Sequence, residues 1–139
     1  MNRERVLAAA VLANLLAGVV HGTAHALLPV AVPVWQYAVA AVTVCVLPLA
    51  GLVAVSTGRR RGGVALVALG GVAALSFEGL AHFGAVNPDH VSTVGDGSAL
   101  FAGTALATTL GDLLLVATAG WFVVTYRQGR ARSLSESST

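Results

Sequence analysis

Lysine is absent from this chain, and all eight basic residues are arginine. They stand in three short clusters beside apolar stretches, and the net charge is only +2. That pattern gives no basis for nucleic-acid binding, which calls for a basic face or stripe. A single cysteine, Cys45, sits in an apolar run, so no internal disulfide and no CxxC-type site can form. Its simplest role is that of a small buried apolar residue. The only methionine is Met1, which removes thioether copper chemistry. Neither an N-glycosylation sequon nor a Gly-rich phosphate loop occurs. Charge is scarce too: 10% of residues are charged, against about 25% in a soluble domain.

Apolar residues take the place of charge. The chain of 139 residues is 56% hydrophobic, with a mean hydropathy of +0.81. Four apolar runs cover residues 6–28, 34–56, 64–86 and 99–126. At 1.5 Å per residue each is long enough for a hydrocarbon core of roughly 30 Å. The predicted fold is an all-α integral membrane protein of four transmembrane helices, up-down-up-down, forming one domain over residues 1–126. Pro48 lies inside the second run, where it is expected to kink the helix. Trp35 with Tyr37, and Trp121 with Tyr126, mark interfacial belts. Residues 127–139 form a basic, then Ser-rich tail, expected to be frayed.

The arginines set the orientation. Arg3 and Arg5, Arg59 to Arg61, and Arg127, Arg130 and Arg132 fall on one side of the four-span arrangement. The opposite loops carry no Arg and contain Asp89 and Asp96. By the positive-inside rule both termini are cytoplasmic, in a multi-pass protein of the cell membrane. The arginines also suit contact with anionic lipid. A competing reading makes the first segment a cleaved signal peptide, with Ala24-His25-Ala26 as its small-x-small site. The length of the run and its two histidines argue against that.

Two short segments carry candidate chemistry. His21-Gly22-Thr23-Ala24-His25 lies in the first run and Glu78-Gly79-Leu80-Ala81-His82 in the third, 57 positions later. Both read (His/Glu)-Gly-x-Ala-His, and residues four apart share a helix face. The shared pattern, with matching Ala and Leu positions before it, suggests a two-hairpin internal repeat with the first and third helices facing each other. His21, His25, Glu78 and His82 would then converge near the outer ends of their helices. Three imidazoles and a carboxylate suit Cu, Zn or Fe. Facing helices of a bundle build metal sites in this way. Asn14 and Gly18 share the stripe of His21 and His25.

The same residues allow other readings. His25 and His82 could ligate one haem b axially, with Gly22, Gly79, Ala24 and Ala81 making room. The low aromatic content, 6%, and the distance of every Arg from the site argue against haem. Alternatively the imidazoles bond to Asn14, threonines or backbone, in a non-enzymatic structural or assembly protein. A small transporter or proton path is the further alternative. Asp112, near the middle of the fourth helix, continues a polar stripe with Thr104 and Thr108, and could relay protons or add a ligand. His90, in the loop 87–98, either stays solvated or folds down as a fourth imidazole. Gln36 could serve as a partner to the ligands.

Glu78-x-x-x-His82, followed by His90, resembles the carboxylate-x-x-x-His motif in the C subunit of copper membrane monooxygenases. The likeness covers those few residues, the later spacing differs, and no function is carried over from it. Four-helix quinone-linked membrane proteins share the expected architecture alone. The reading that follows is a metal-binding or redox-supporting membrane subunit. It would work in the lipid bilayer, with other membrane subunits or as a homo-oligomer.

Overall fold

The computed structural model describes residues 2–28 and 30–136, with side chains through residue 128. The fold is 83% helical, without a strand among the described residues. Four helices run Arg3–Leu27 (α1), Val34–Ser56 (α2), Arg60–Gly84 (α3) and Ser98–Glu136 (α4). All four are long and apolar enough to cross a membrane.

Helix ends differ from the sequence-based expectation where capping and packing outweigh hydropathy. α1 starts at Arg3 because the Asn2 side chain accepts from the Glu4 N–H at 3.0 Å, satisfying one of the free first-turn donors. α3 takes in Arg60, Arg61 and the two glycines after them, since Gly63 is a packing position. A Cβ at Gly63 would stand 2.5 Å from the Gly51 carbonyl oxygen, and one at Gly51 2.6 Å from that of Gly63. Only glycine allows α2 and α3 to cross so closely. α4 continues beyond residue 126 to Glu136, where the sequence reading placed a frayed tail. No proline interrupts that stretch, so the helix propagates through it.

Pro48 acts through the helix ladder. Residues Ala41–Val46 widen into a π-turn, in which the Leu47 N–H bonds the Val42 carbonyl five residues back. The wider turn relieves the clash a proline makes with the carbonyl four residues before it. The second π-turn, Leu80–Gly84, closes α3, with Ala85 N–H donating to the Leu80 carbonyl at 2.8 Å. α1 has no such turn; it ends with Leu28 N–H on the Ala24 carbonyl. The two Gly-x-Ala-His segments therefore finish their helices differently.

Packing runs round the bundle: α1 on α4, α4 on α3, α3 on α2, with the α1–α2 contact the lightest. α1 and α3 accordingly face each other across the interior. Leu7, Val11, Val55, Val67, Leu115 and Phe122 form an apolar core toward the end that carries the termini. The Arg60–Glu4 pair, at 2.8 Å, lies at that end on the surface. Leu12, Leu16, Val72, Leu110 and Leu114 point outward, whereas Asn14, Thr108 and Asp112 are fully buried. This arrangement of greasy outside and polar inside is what a lipid solvent selects.

Candidate metal centre

At the end of the bundle opposite the termini, α1 and α3 bring three histidines together. His21 and His25 lie one turn apart on α1, and His82 sits within the π-turn that ends α3. His21 Nε2 stands 3.1 Å from His82 Nε2 and 3.1 Å from His25 Nε2. One ring nitrogen from each of the three falls within 4.8 Å of the others. With metal–nitrogen bonds of about 2.0–2.1 Å, ligand nitrogens of a tetrahedral site stand about 3.3 Å apart. The two spacings of 3.1 Å are close to that edge, and the three nitrogens together lie within 4.8 Å. Phe101, fully buried on α4, packs its ring 5.0–5.6 Å from all three imidazoles.

Outer partners determine which nitrogens carry protons. Thr104 Oγ1 lies 3.0 Å from the Leu100 and Phe101 carbonyls and 3.0 Å from His21 Nδ1, so its one proton goes either to the helix backbone or to the imidazole. With the Thr104 proton on the backbone, His21 carries its own proton at Nδ1. His82 Nδ1 lies 3.0 Å from the Asp89 carbonyl oxygen, which also only accepts. In that state both rings aim unprotonated Nε2 lone pairs at each other, whereas a Thr104 hydroxyl turned to Nδ1 lets His21 Nε2 donate to His82 Nε2. Two acceptors at 3.1 Å repel unless a cation sits between them. Donation of the far ring N–H to an oxygen is the arrangement metal-bound histidines adopt.

Thr104→Val keeps the shape of α4 and deletes the hydroxyl that holds the His21 ring. Metal affinity is expected to fall about 10–100-fold, with helix content unchanged. Competition against a chromophoric chelator measures it; unaltered affinity would show that the ring needs no such support.

The loop over the site contributes Asp89, which the sequence reading named only as a charge of the Arg-free side. Asn87 drives its placement. Its Nδ2 donates to the Ala81 carbonyl at 2.8 Å, and its Oδ1 accepts from Asp89 N–H at 2.8 Å. The resulting Asx-turn points residue 89 inward. Asp89 is 4% exposed, with Oδ1 3.3 Å from His25 Nε2 and 3.6 Å from His82 Nδ1. Burial pushes its carboxyl above the usual aspartate range, opposed in part by His82. His90 turns the other way and pairs through Nδ1 with Ser92 Oγ at 2.7 Å, so the fourth imidazole allowed for in the sequence does not join the group.

No protein-family model, curated protein or solved structure matches the chain. What it does must be read from the site itself.

Glu78 is buried but stands outside the three-imidazole group. It lies beside Thr108, within electrostatic reach of His82 and Asp112. Glu78 stands one turn below His82, about 6 Å deeper by the helical rise, where it meets Thr108. Asn14 and Asp112 lie deeper in the bundle. Gln36 lines a cavity of ≈ 230 Å³ that borders the histidines between α1 and α2, along with Gly18, Tyr37 and Cys45. Its Oε1 has no hydrogen-bond partner. A carboxylate one residue before the expected His90, after Asn-Pro, was the available signal for Asp89.

Proposed function

We propose that this chain is a small integral membrane protein that binds one first-row transition metal ion through His21, His25 and His82, with Asp89 beside them as fourth ligand or as partner to the rings. Zn, Cu and Fe all suit the three imidazoles. The observation that carries the reading is the convergence of one ring nitrogen from each of His21, His25 and His82 within 4.8 Å, which a shared cation would tie together. The Arg distribution supports an outward-facing centre, with both termini in the cytoplasm. Such a centre, without an extramembrane domain among the described residues, suits a metal-binding or redox-supporting subunit of a membrane assembly.

Two alternatives are less well supported. A haem b held by His25 and His82 would need its iron between those rings, and His21 occupies that space, 3.1 Å from each. A continuous polar path across the membrane is opposed by the apolar core of Leu7, Val11, Leu115 and Phe122.

Detergent-purified protein, analysed for metals and scanned optically, tests the proposal. The expected result is about one Zn, Cu or Fe per chain, removable by chelator, with no Soret band. A stoichiometric Soret band would replace it with the haem reading. Absence of any bound metal, before and after reconstitution, would leave the scaffold.

A further inference from the structure

Below the imidazoles lies a second group of polar side chains that the first site does not use. Asn14 on α1, Glu78 on α3, and Thr108 and Asp112 on α4 are 1%, 5%, 1% and 0% exposed. Along α1, Asn14 is about 10 Å from His21 by the helical rise. Asn14 lies beside the Asp112 carboxyl and Glu78 beside the Thr108 hydroxyl. Asn14 Oδ1, Asn14 Nδ2, Glu78 Oε2 and both Asp112 oxygens are buried without a partner. Buried polar atoms in native proteins are nearly always paired, and here several unpaired ones share one locality. Gly111 permits the arrangement: a Cβ there would collide with Asn14 Oδ1.

We propose that Asn14, Glu78, Thr108 and Asp112 form a second metal site, lined by oxygen, for a hard divalent cation of the Mn²⁺ or Ca²⁺ class. The donors are carboxylate, amide carbonyl and hydroxyl oxygens, which hard cations prefer. Thr108 Oγ1 gives its proton to the Ala105 carbonyl at 2.9 Å and keeps its lone pairs for a ligand. Charge selects the valence. Two carboxylates share the group, and no arginine among the described residues is buried near them. A divalent ion balances both, as a low-dielectric interior requires. Mg²⁺ is excluded because it retains several waters, while Val11, Val67 and Leu115 seal the side toward the termini. The buried polar route to the site descends from His21 through Thr104 to Thr108.

The inference does not rest on the imidazole centre, and the experiment keeps the two apart. Metal-free protein in detergent is titrated with MnCl₂, and free Mn²⁺ is counted by its six-line EPR signal. The titration is run on the wild type preloaded with Zn²⁺, and on His21→Ala without Zn²⁺. One Mn²⁺ per chain is expected in both, displaced by Ca²⁺ and not by Mg²⁺. Asp112→Asn should weaken uptake at least about tenfold. Gly111→Ala should do the same while leaving every donor in place, by pushing Asn14 aside; it decides the matter if Asp112→Asn does not fold. No Mn²⁺ uptake by either protein would overturn the proposal and leave Glu78 and Asp112 as protonated, structural acids. Undiminished uptake by a folded Asp112→Asn or Gly111→Ala variant would overturn it as well.

Discussion

His21→Ala is expected to empty the imidazole centre. Among the three histidines only His21 has its Nε2 at 3.1 Å from both other rings. Removing it leaves His25 and His82, whose ring centroids are 6.1 Å apart, without the ligand that links them. Loss of an outer partner costs about 10–100-fold in affinity, and loss of a ligand should exceed that. Metal content of the purified variant is thus expected to drop from about one per chain to background, with affinity down by more than about 100-fold. The fold should survive. His21 touches Thr104 and Phe101 and lies outside the apolar core around Leu7, Val11 and Leu115. Metal analysis alongside far-UV circular dichroism checks both halves. Full retention of metal by His21→Ala would mean that the ion binds elsewhere.

The features that made this site legible in sequence are those governed by regular periodicity. Hydropathy located four spans because a lipid solvent demands about 20 apolar residues in each. The spacing of His21 and His25 placed them on one face because α1 is an unbroken α-helix there. Their meeting with His82 followed from four short-linked helices in a ring, which sets the first and third across from each other.

What was hidden depends on departures from that periodicity. Glu78 and His82 look equivalent to His21 and His25 on paper. Tertiary packing breaks the equivalence: His21 joins the imidazole group while Glu78 meets Thr108, and local sequence does not announce that. The π-turn before Pro48 was more accessible, since a proline inside an apolar run forces some accommodation. In the loop, one residue of register decided between His90 and Asp89. The Asn87 side chain fixes that register by bonding across to Ala81, a tertiary relation that local sequence does not express. The oxygen group was visible only in parts. Asn14 shares the histidine stripe and Asp112 the threonine stripe, but their proximity depends on how α1 packs against Gly111 of α4.

Asp89→Asn should separate stability from metal binding by moving them in opposite directions. In the metal-free protein the Asp89 carboxyl is buried and its pKa is raised above the unfolded value. The folded state therefore holds a proton that the unfolded state has released, over the interval between the two values. Stability falls as pH rises through that interval, and stays lower once both states are ionised. Asparagine has no charge to desolvate, keeps the side-chain shape, and leaves the backbone carbonyl that accepts from His82 Nδ1. The metal-free variant should consequently be more stable than the wild type at neutral pH, and should lose the decline in stability above the ordinary aspartate range. With metal present the order reverses. An ionised Asp89 then faces a cation through His25 at 3.3 Å, and its loss should cost about 10–100-fold in affinity. Thermal melts of both proteins from pH 4 to 8, with and without Zn²⁺, make the comparison. If Asp89→Asn were no more stable than the wild type without metal, burial of this carboxyl would not be the strain that the metal relieves. If it bound metal as tightly, Asp89 would belong to the loop alone and not to the centre beneath it.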